Sequence, residues 1–358
     1  MKWLVYKIFA LLLFVSVSTS CCDNKAIALD MQPKPQVRID TVRLVFGGDL
    51  MQHMPQVRAA YRGGGKYDYS ATFEYVAPLF RNADIAVLNL ETTLTTRGDY
   101  SGYPSFASPI ELADAIADIG VDIALLANNH CCDRAGRGID TTIEQLTRCN
   151  IAHTGAFTSK EDYDANNILC FDSKGVRFAM VNYTYGTNGY PVPQGKFVNI
   201  IDNERIKRDI STINRDSVDC IIACMHWGIE YQRVPNEEQK SMARFLRSLG
   251  VDVIIGSHPH VVQTYEVTLD GVVFYSLGNL VSNQRKRYTS GGLIAEVNIV
   301  RCDTVPGLCY SANAHPVHVI KPGYRIVPRS VGDTMKMSLE SRQLYNLFMA
   351  DTDRLLNR

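Results

Sequence analysis

Five apolar segments of this chain each stop on a polar side chain that can bind a metal or move a proton, and that repetition limits the fold more than anything else in the sequence. TVRLVF (41–46) runs into Gly47-Gly48-Asp49, and IAVLNL (85–90) ends at Glu91. VDIALLA (121–127) ends at Asn128-Asn129-His130, DCIIACM (219–225) ends at His226, and VDVII (251–255) passes through Gly256-Ser257 to His258-Pro259-His260. Each is short, rich in β-branched residues and closed by a polar or breaker residue, the pattern of a buried strand. Pro259 disfavours helical geometry at His258, so the chain there is read as extended.

Helix signals alternate with these strands. Ser108-Pro109-Ile110-Glu111 has the form of a capping box with proline at the first helical position, and Gly120 closes that helix. A second helix is expected near 139–149, and Met242, Phe245, Leu246 and Leu249 mark one face of a third. Residues 168–185 read as a hairpin, and 264–277 as another turned by Asp270-Gly271. Strands at 293–300 and 315–320 and a helix near 337–356 complete the chain. The pattern is α/β layering with antiparallel pairs mixed in. In open α/β sheets ligands bind at the C-terminal edge of the strands, where all five polar ends are expected to gather.

Two carboxylates, an amide oxygen and up to four imidazoles, with no thiolate, form a donor set suited to zinc, manganese or iron; the residue types do not choose among them. Two ions ~3.5–4 Å apart would need a bridging carboxylate and several further ligands. Each residue also has a structural alternative: Asp49 as a turn residue, Asn129 as a helix cap, His226 as a packed neighbour of Trp227. The convergence of five segments is what favours a metal site. Arg134, Arg137 and the cluster Arg285-Lys286-Arg287 offer charge to an anionic polymer, though a solvated loop is the better account of the cluster. Tyr231 and Tyr265 either line the cleft or pack in the core or at the rim. Gly63-Gly64-Gly65 is no phosphate cradle, because neither a Lys-Ser/Thr pair nor a helix start follows it.

The 358 residues, 46% hydrophobic, suffice for one large domain over 41–330, with residues 331–358 forming a C-terminal helix that packs on it. Lys plus Arg (37) balances Asp plus Glu (37), so no overall field favours nucleic acid or an anionic membrane surface. Lys2 and Lys7, the apolar run from Ile8 to Val17 and Ser18-Thr19-Ser20 describe an export signal over 1–21, too short for a transmembrane helix. STSC at 18–21 is similar to a bacterial lipobox. Cys21 is therefore the expected lipid attachment point, with simple signal cleavage as the alternative, and residues 22–40, with Pro33 and Pro35, read as a tether. This places the protein in the bacterial cell envelope, held to a membrane by its N-terminal lipid. Of the ten cysteines, Cys220 and Cys224 lie in an apolar strand, and Cys302 and Cys309 flank a turn across which they could pair; the spacing leaves the pairing open.

The motifs GGDLM (47–51), NLETTLT (89–95), NNHCCDRAGRGIDTT (128–142), HTGA (153–156), HWGIEY (226–231), GSHPHVVQ (256–263) and YSLGNL (275–280) resemble the CapA/PgsA capsule-synthesis proteins. That family is linked to poly-γ-glutamate and belongs to the calcineurin-like metallophosphoesterase superfamily. The resemblance spans about residues 42–283. It implies a four-layer α/β/β/α sandwich with mixed sheets and one or two divalent transition metal ions (Mn, Zn or Fe) at the strand ends. Asp49 and Glu91 would be acidic ligands, with Glu91 the bridge. Asn129, His226 and His258 would complete one metal position and His260 would serve the other. His130 would protonate the leaving group, and a metal-activated hydroxide would attack.

Three departures stand out. Met51 occupies the place of a ligand histidine, which His53 would have to supply from two residues away. Glu91 replaces an aspartate. Cys131 replaces an acidic residue, so Asp133 is expected to orient His130. The implied function is a hydrolase acting on an anionic polymer or phosphoester, working beside other capsule-synthesis proteins. The alternatives are a non-catalytic assembly factor with a structural or vestigial metal site, which Met51 and Cys131 favour, and a phosphodiesterase of nucleotides or lipid head groups.

Overall fold

The computed structural model describes residues 39–268, 271–302 and 305–357. The export signal, Cys21 and the tether up to residue 38 lie outside the described residues. Residues 39 and 40, assigned above to the tether, are instead the first two of a long strand.

In chain order the strands of the two large sheets are β1 (Ile39–Leu50), β2 (Ile85–Leu90), β3 (Ile123–Leu125), β4 (Ala152–Thr154), β5 (Leu169–Ser173), β6 (Val176–Thr184), β7 (Cys220–His226), β8 (Val253–Ser257), β9 (Tyr265–Thr268), β10 (Gly271–Phe274), β11 (Asn279–Val281), β12 (Gly291–Cys302), β13 (Val305–Ile320) and β14 (Arg325–Pro328). The principal helices are α1 (Met54–Ala60), α2 (Glu111–Asp118), α3 (Ala135–Arg148), α4 (Asn203–Ser211), α5 (Glu237–Ser248) and α6 (Leu339–Leu356). The first sheet has eight strands in the order β14-β13-β12-β1-β2-β3-β4, with β11 also pairing with β1; the second has six in the order β9-β10-β8-β7-β6-β5. Both are mixed: β1 to β4 run parallel beside antiparallel β12 to β14, and the parallel set β6, β7, β8 and β10 is flanked by antiparallel β5 and β9.

Alternation along the strands builds four layers, because successive side chains leave a strand on opposite faces. Leu44 and Phe46 of β1 meet Ile222 and Cys224 of β7 and Ile255 of β8 in a core between the sheets. Val45 faces the other way, into a core with Leu112 and Ile116 of α2 and Ile139, Ile143 and Leu146 of α3. Ile221, Ala223 and Met225 turn outward from the second sheet onto Ile206 and Ile210 of α4 and Ala243 and Leu246 of α5. The sandwich is therefore α/β/β/α. The C-terminal helix α6 joins the core between the sheets through Tyr345, Phe348 and Met349. Among the described residues no helix is long and apolar enough to cross a membrane.

Several local expectations change. Ser108-Pro109 is a short bridge to Leu94-Thr95 rather than a capping box, and α2 begins at Glu111 with no side-chain cap. The cause is long-range: Ser108 Oγ lies 2.7 Å from Thr92 Oγ1 and its amide donates to Thr93 O, which commits the residue to the 92–95 segment. α3 starts at Ala135, ahead of the expected 139. The β12–β13 register sets Cys309 opposite Val300 and Cys302 opposite Val305, so the two cysteines do not face each other.

Candidate metal centre

The C-terminal ends of β1, β2, β3, β7 and β8 bring their polar residues together. In β1 the register shifts on both sides of Asp49, and the chain there runs so close to its neighbour that a Cβ on Gly48 would meet Gly278 O at 2.1 Å. Only glycine permits that approach, and the distortion sets Asp49 inside the protein, fully buried. Asn89 of β2 donates from Nδ2 to Asp49 Oδ1 at 2.8 Å and to Glu91 Oε2 at 3.2 Å, fixing the two carboxylates to one amide. This residue was not anticipated. The signal that would have found it is the two-residue spacing to Glu91 on one face of the strand.

Glu91 is fully buried, and its Oε1 lies 3.8 Å from both His226 Nε2 and His260 Nε2 with no hydrogen-bond partner. His260 Nδ1 is 3.0 Å from Asp49 Oδ2. His226 Nε2 is 2.7 Å from Asn129 Oδ1, and its Nδ1 is 3.0 Å from Ser257 Oγ. His258 packs its ring 4.9 Å from that of His226 and 4.5 Å from Tyr185, and its buried Nδ1 has no partner. The His258 backbone is not extended as expected: φ is +95° there and +57° at His260. Non-glycine residues rarely adopt such angles, and held outliers of this kind concentrate at functional sites. The Tyr231 N–H donates to Pro259 O at 2.8 Å, and the His258 amide faces Asp49, which together hold the loop in place.

Burial is the largest cause of the electrostatics. Burial, then the charge of Asp49, pushes the Glu91 carboxyl well up, while burial and neighbouring imidazoles hold His226 well down and His258 down to about 3. Neutral imidazoles offer lone pairs. A buried carboxylate oxygen and an imidazole nitrogen without partners are costly in a protein interior, and each is a donor that a divalent cation would satisfy. The donor set fits such an ion. The oxygen, amide and imidazole donors suit manganese, zinc or iron alike.

His130 has side-chain partners of its own. Its Nδ1 is 2.8 Å from Asp133 Oδ2, which also accepts the Phe106 N–H at 2.6 Å, and the Phe106 ring packs edge-on at 4.6 Å. Asp133 thus contacts the His130 ring, whereas the Cys131 side chain belongs to the outer core. Met51 is buried, and its carbonyl accepts from Gln56 Nε2 at 2.7 Å. His53 does not join the converging side chains: its Nδ1 is 3.2 Å from Gln56 Oε1 and accepts the Asn283 N–H, an arrangement that caps α1.

Tyr231 lies beside the centre, its ring 6.3 Å from His260, and Lys286 Nζ sits 3.6 Å above the Tyr231 ring. Arg287 pairs with Asp351 at 3.0 Å, while Arg285, Lys286 and Arg287 all stay exposed, as a solvated loop would be. Tyr265 is not at the cleft; it stacks on Phe274 at 4.6 Å and packs on the core between the sheets. Arg134 and Arg137 line a separate cavity of about 180 Å³ with Arg97 and Asp99, where Arg134 donates to Ser101 Oγ. The sequence did not single out Glu230, whose carboxylate comes within 4.8 Å of ligand atoms of His258 and His260.

A four-layer sandwich with acidic, amide and imidazole side chains at the strand ends defines a metallophosphoesterase-type fold. A putative 5'-nucleotidase from Staphylococcus aureus, solved in complex with alpha-ketoglutarate, shares it: TM-score 0.51 at 13% identity, over 87% of this chain and 58% of that one. The family model for the bacterial capsule synthesis protein PGA_cap matches residues 43–284, and the chain belongs to that family. The capsule biosynthesis protein CapA of Bacillus anthracis is 26% identical over 85% of this chain and 76% of its own length. The PGA biosynthesis protein CapA of Bacillus subtilis is likewise 26% identical, over 74% of this chain and 70% of its own.

Proposed function

We propose that this protein is an exported, metal-dependent hydrolase in the biosynthesis or processing of a capsule polymer of the poly-γ-glutamate type, anchored in the cell envelope through Cys21. Membership of the capsule synthesis family supports the setting. The observation that carries the chemistry is the buried, unpartnered Glu91 Oε1 equidistant from two imidazole nitrogens. Asp49, Glu91 and His260 would hold one ion, and Glu91, Asn129, His226 and His258 a second. A divalent ion there supplies Lewis acidity toward a carbonyl or phosphoryl oxygen and lowers the pKa of water.

The chain's own residues divide the remaining work. Asn89 keeps both carboxylates in register. Asp133 fixes His130 through Nδ1 and leaves Nε2 to deliver a proton to the leaving group. Phe106 packs against the His130 ring, while Tyr185 and Tyr231 flank the histidines at the mouth. Arg134 and Arg137 would contact an anionic polymer, and other capsule-synthesis proteins are the expected partners.

Elemental analysis of the purified protein, followed by turnover assays on aryl phosphodiesters and γ-linked polyglutamate, tests this function. Bound transition metal with hydrolysis of either substrate is the expected result. Bound metal with no turnover of any ester or polymer would favour an assembly factor, the reading to which buried Met51 lends weight. For the anchor, a fatty-acid analogue should label the wild type and miss Cys21→Ser; equal labelling rules the lipid at Cys21 out.

A further inference from the structure

We propose that Glu230 is itself a metal ligand, adding a carboxylate oxygen beside His258 and His260 to a centre at which Met51 supplies no donor. This rests on the reading of the strand-end cluster as a metal centre. Met51 is held in the core by its main chain, with its N–H on Val281 O and its carbonyl on Gln56, and a thioether is a soft donor ill-matched to the oxygen and imidazole set around it. Glu230 adds a hard carboxylate oxygen beside His258 and His260.

Its placement is built by the loop after β7. Gly228 turns the chain at φ +84°, where a Cβ would strike Gln239 at 2.7 Å, and Tyr231 follows at φ +70°. Two main-chain bonds tie this loop to the histidine loop: Trp227 N–H to Ser257 O at 3.1 Å and Tyr231 N–H to Pro259 O at 2.8 Å. The result is a group in which ligand atoms of Glu230, His258 and His260 all lie within 4.8 Å of one another.

A second observation points independently to a cation. His258 is 4% exposed, its Nδ1 has no partner, and its backbone is held at a positive φ. An exposed carboxylate beside a buried, unpartnered imidazole is an arrangement that a salt bridge within the protein does not account for. Among the proposed ligands Glu230 is the exposed one, so it meets the ion from the solvent side. Its removal should change metal affinity without disturbing the core.

The test is Mn²⁺ titration of the metal-stripped full chain, read by electron paramagnetic resonance and equilibrium dialysis, for wild type, Glu230→Gln, Glu230→Ala and His258→Ala. Both Glu230 variants should melt like the wild type yet bind Mn²⁺ at least about tenfold more weakly at one position, since even groups that merely orient a ligand are worth that much. Should the Glu230 variants bind as the wild type does while His258→Ala loses the ion, the Glu230 assignment falls and the metal centre stands. Should the wild type bind no Mn²⁺, Zn²⁺ or Fe²⁺ at all, both fall.

Discussion

The parallel strands carry carboxylates at both ends, and the two ends treat them in opposite ways. At the starting edge, Asp84, Asp122, Asp219 and Asp252 stand immediately before β2, β3, β7 and β8. Each gives its own N–H to the carbonyl of one residue on the neighbouring strand and takes that residue's N–H on its side chain. The partners are Arg43, Ala86, Arg177 and Ile221, with side-chain contacts of 2.7–2.9 Å. These carboxylates extend the ladder by a rung and are satisfied within the fold. At the finishing edge, Asp49 and Glu91 share one amide, face a group of imidazoles and leave Glu91 Oε1 with nothing to accept. One edge spends its charge on holding strands together. The other buries a carboxyl oxygen that the fold does not satisfy, which is where a sequence gives up local consistency for function.

The sharpest way to break this contrast is to substitute at the finishing edge. His226→Ala, which removes contacts to both Glu91 and Asn129, should lose metal and turnover together, down to the uncatalysed rate in the same assay. His130→Ala should separate the two roles: full metal by elemental analysis, with turnover reduced ~10²–10⁴-fold, the range for a lost general acid. Activated aryl esters, which need less protonation, should suffer least. Metal depletion in His130→Ala would make it a ligand and remove the acid from the scheme.

The starting edge should answer in stability instead. Asp122→Ala strands the Ala86 N–H and should cost about 1–3 kcal/mol in chemical denaturation, with metal content unchanged. Glu91→Gln in metal-free protein should be neutral or stabilising, because burial and Asp49 already favour the uncharged carboxyl, which an amide resembles. Equal losses from both substitutions would erase the distinction between the edges.

Much of this was legible in the sequence because it follows from periodicity and from what ends a strand. An apolar run that stops on Asp49, Glu91, His226 or His258 announces both a buried strand and its functional edge. The starting-edge clamps were equally legible, since an aspartate directly precedes the strand in ADIAV, VDIAL, VDCII and VDVII, but the meaning of that aspartate lies in a partner 31 to 42 residues away. Ser108 failed for the same reason: its motif fits a helix cap, and only the fold supplies Thr92 as the stronger claim on its hydroxyl. Phe106, which steadies both His130 and the Asp133 contact, carries no chemistry in its residue type and has no sequence signal at all. Glu230 is intermediate, visible as a carboxylate four residues after His226 but indistinguishable there from a solvated loop residue.

The smallest expected effect divides the starting edge itself. Arg177, with help from Arg301, holds the Asp219 carboxyl below the usual range, whereas burial pushes Asp122 and Asp252 above it. For Asp219 the folded pKa lies below the unfolded one, so its stabilising contribution is complete above about pH 4 and is lost as pH falls further. Asp122 and Asp252 have the opposite sign, because folding favours their protonated forms and mild acid opposes them less. Thermal melts from pH 7 to pH 3 should therefore show Asp219→Asn slightly less stable than wild type at neutrality, with the gap closing as the pH drops below 4. Asp252→Asn should show a gap that does not close in this way, because its loss comes from the Ile221 N–H contact rather than from charge. Solvent screens the Asp219 pair, so the neutral-pH gap should be small and shrink further in high salt. A gap for Asp219→Asn that stays constant from pH 7 to pH 3 would mean that its hydrogen bond to the Arg177 N–H, and not its ionisation, is what the strand needs. All four starting-edge aspartates would then act as neutral rungs, leaving the finishing edge as the place where carboxylate charge matters.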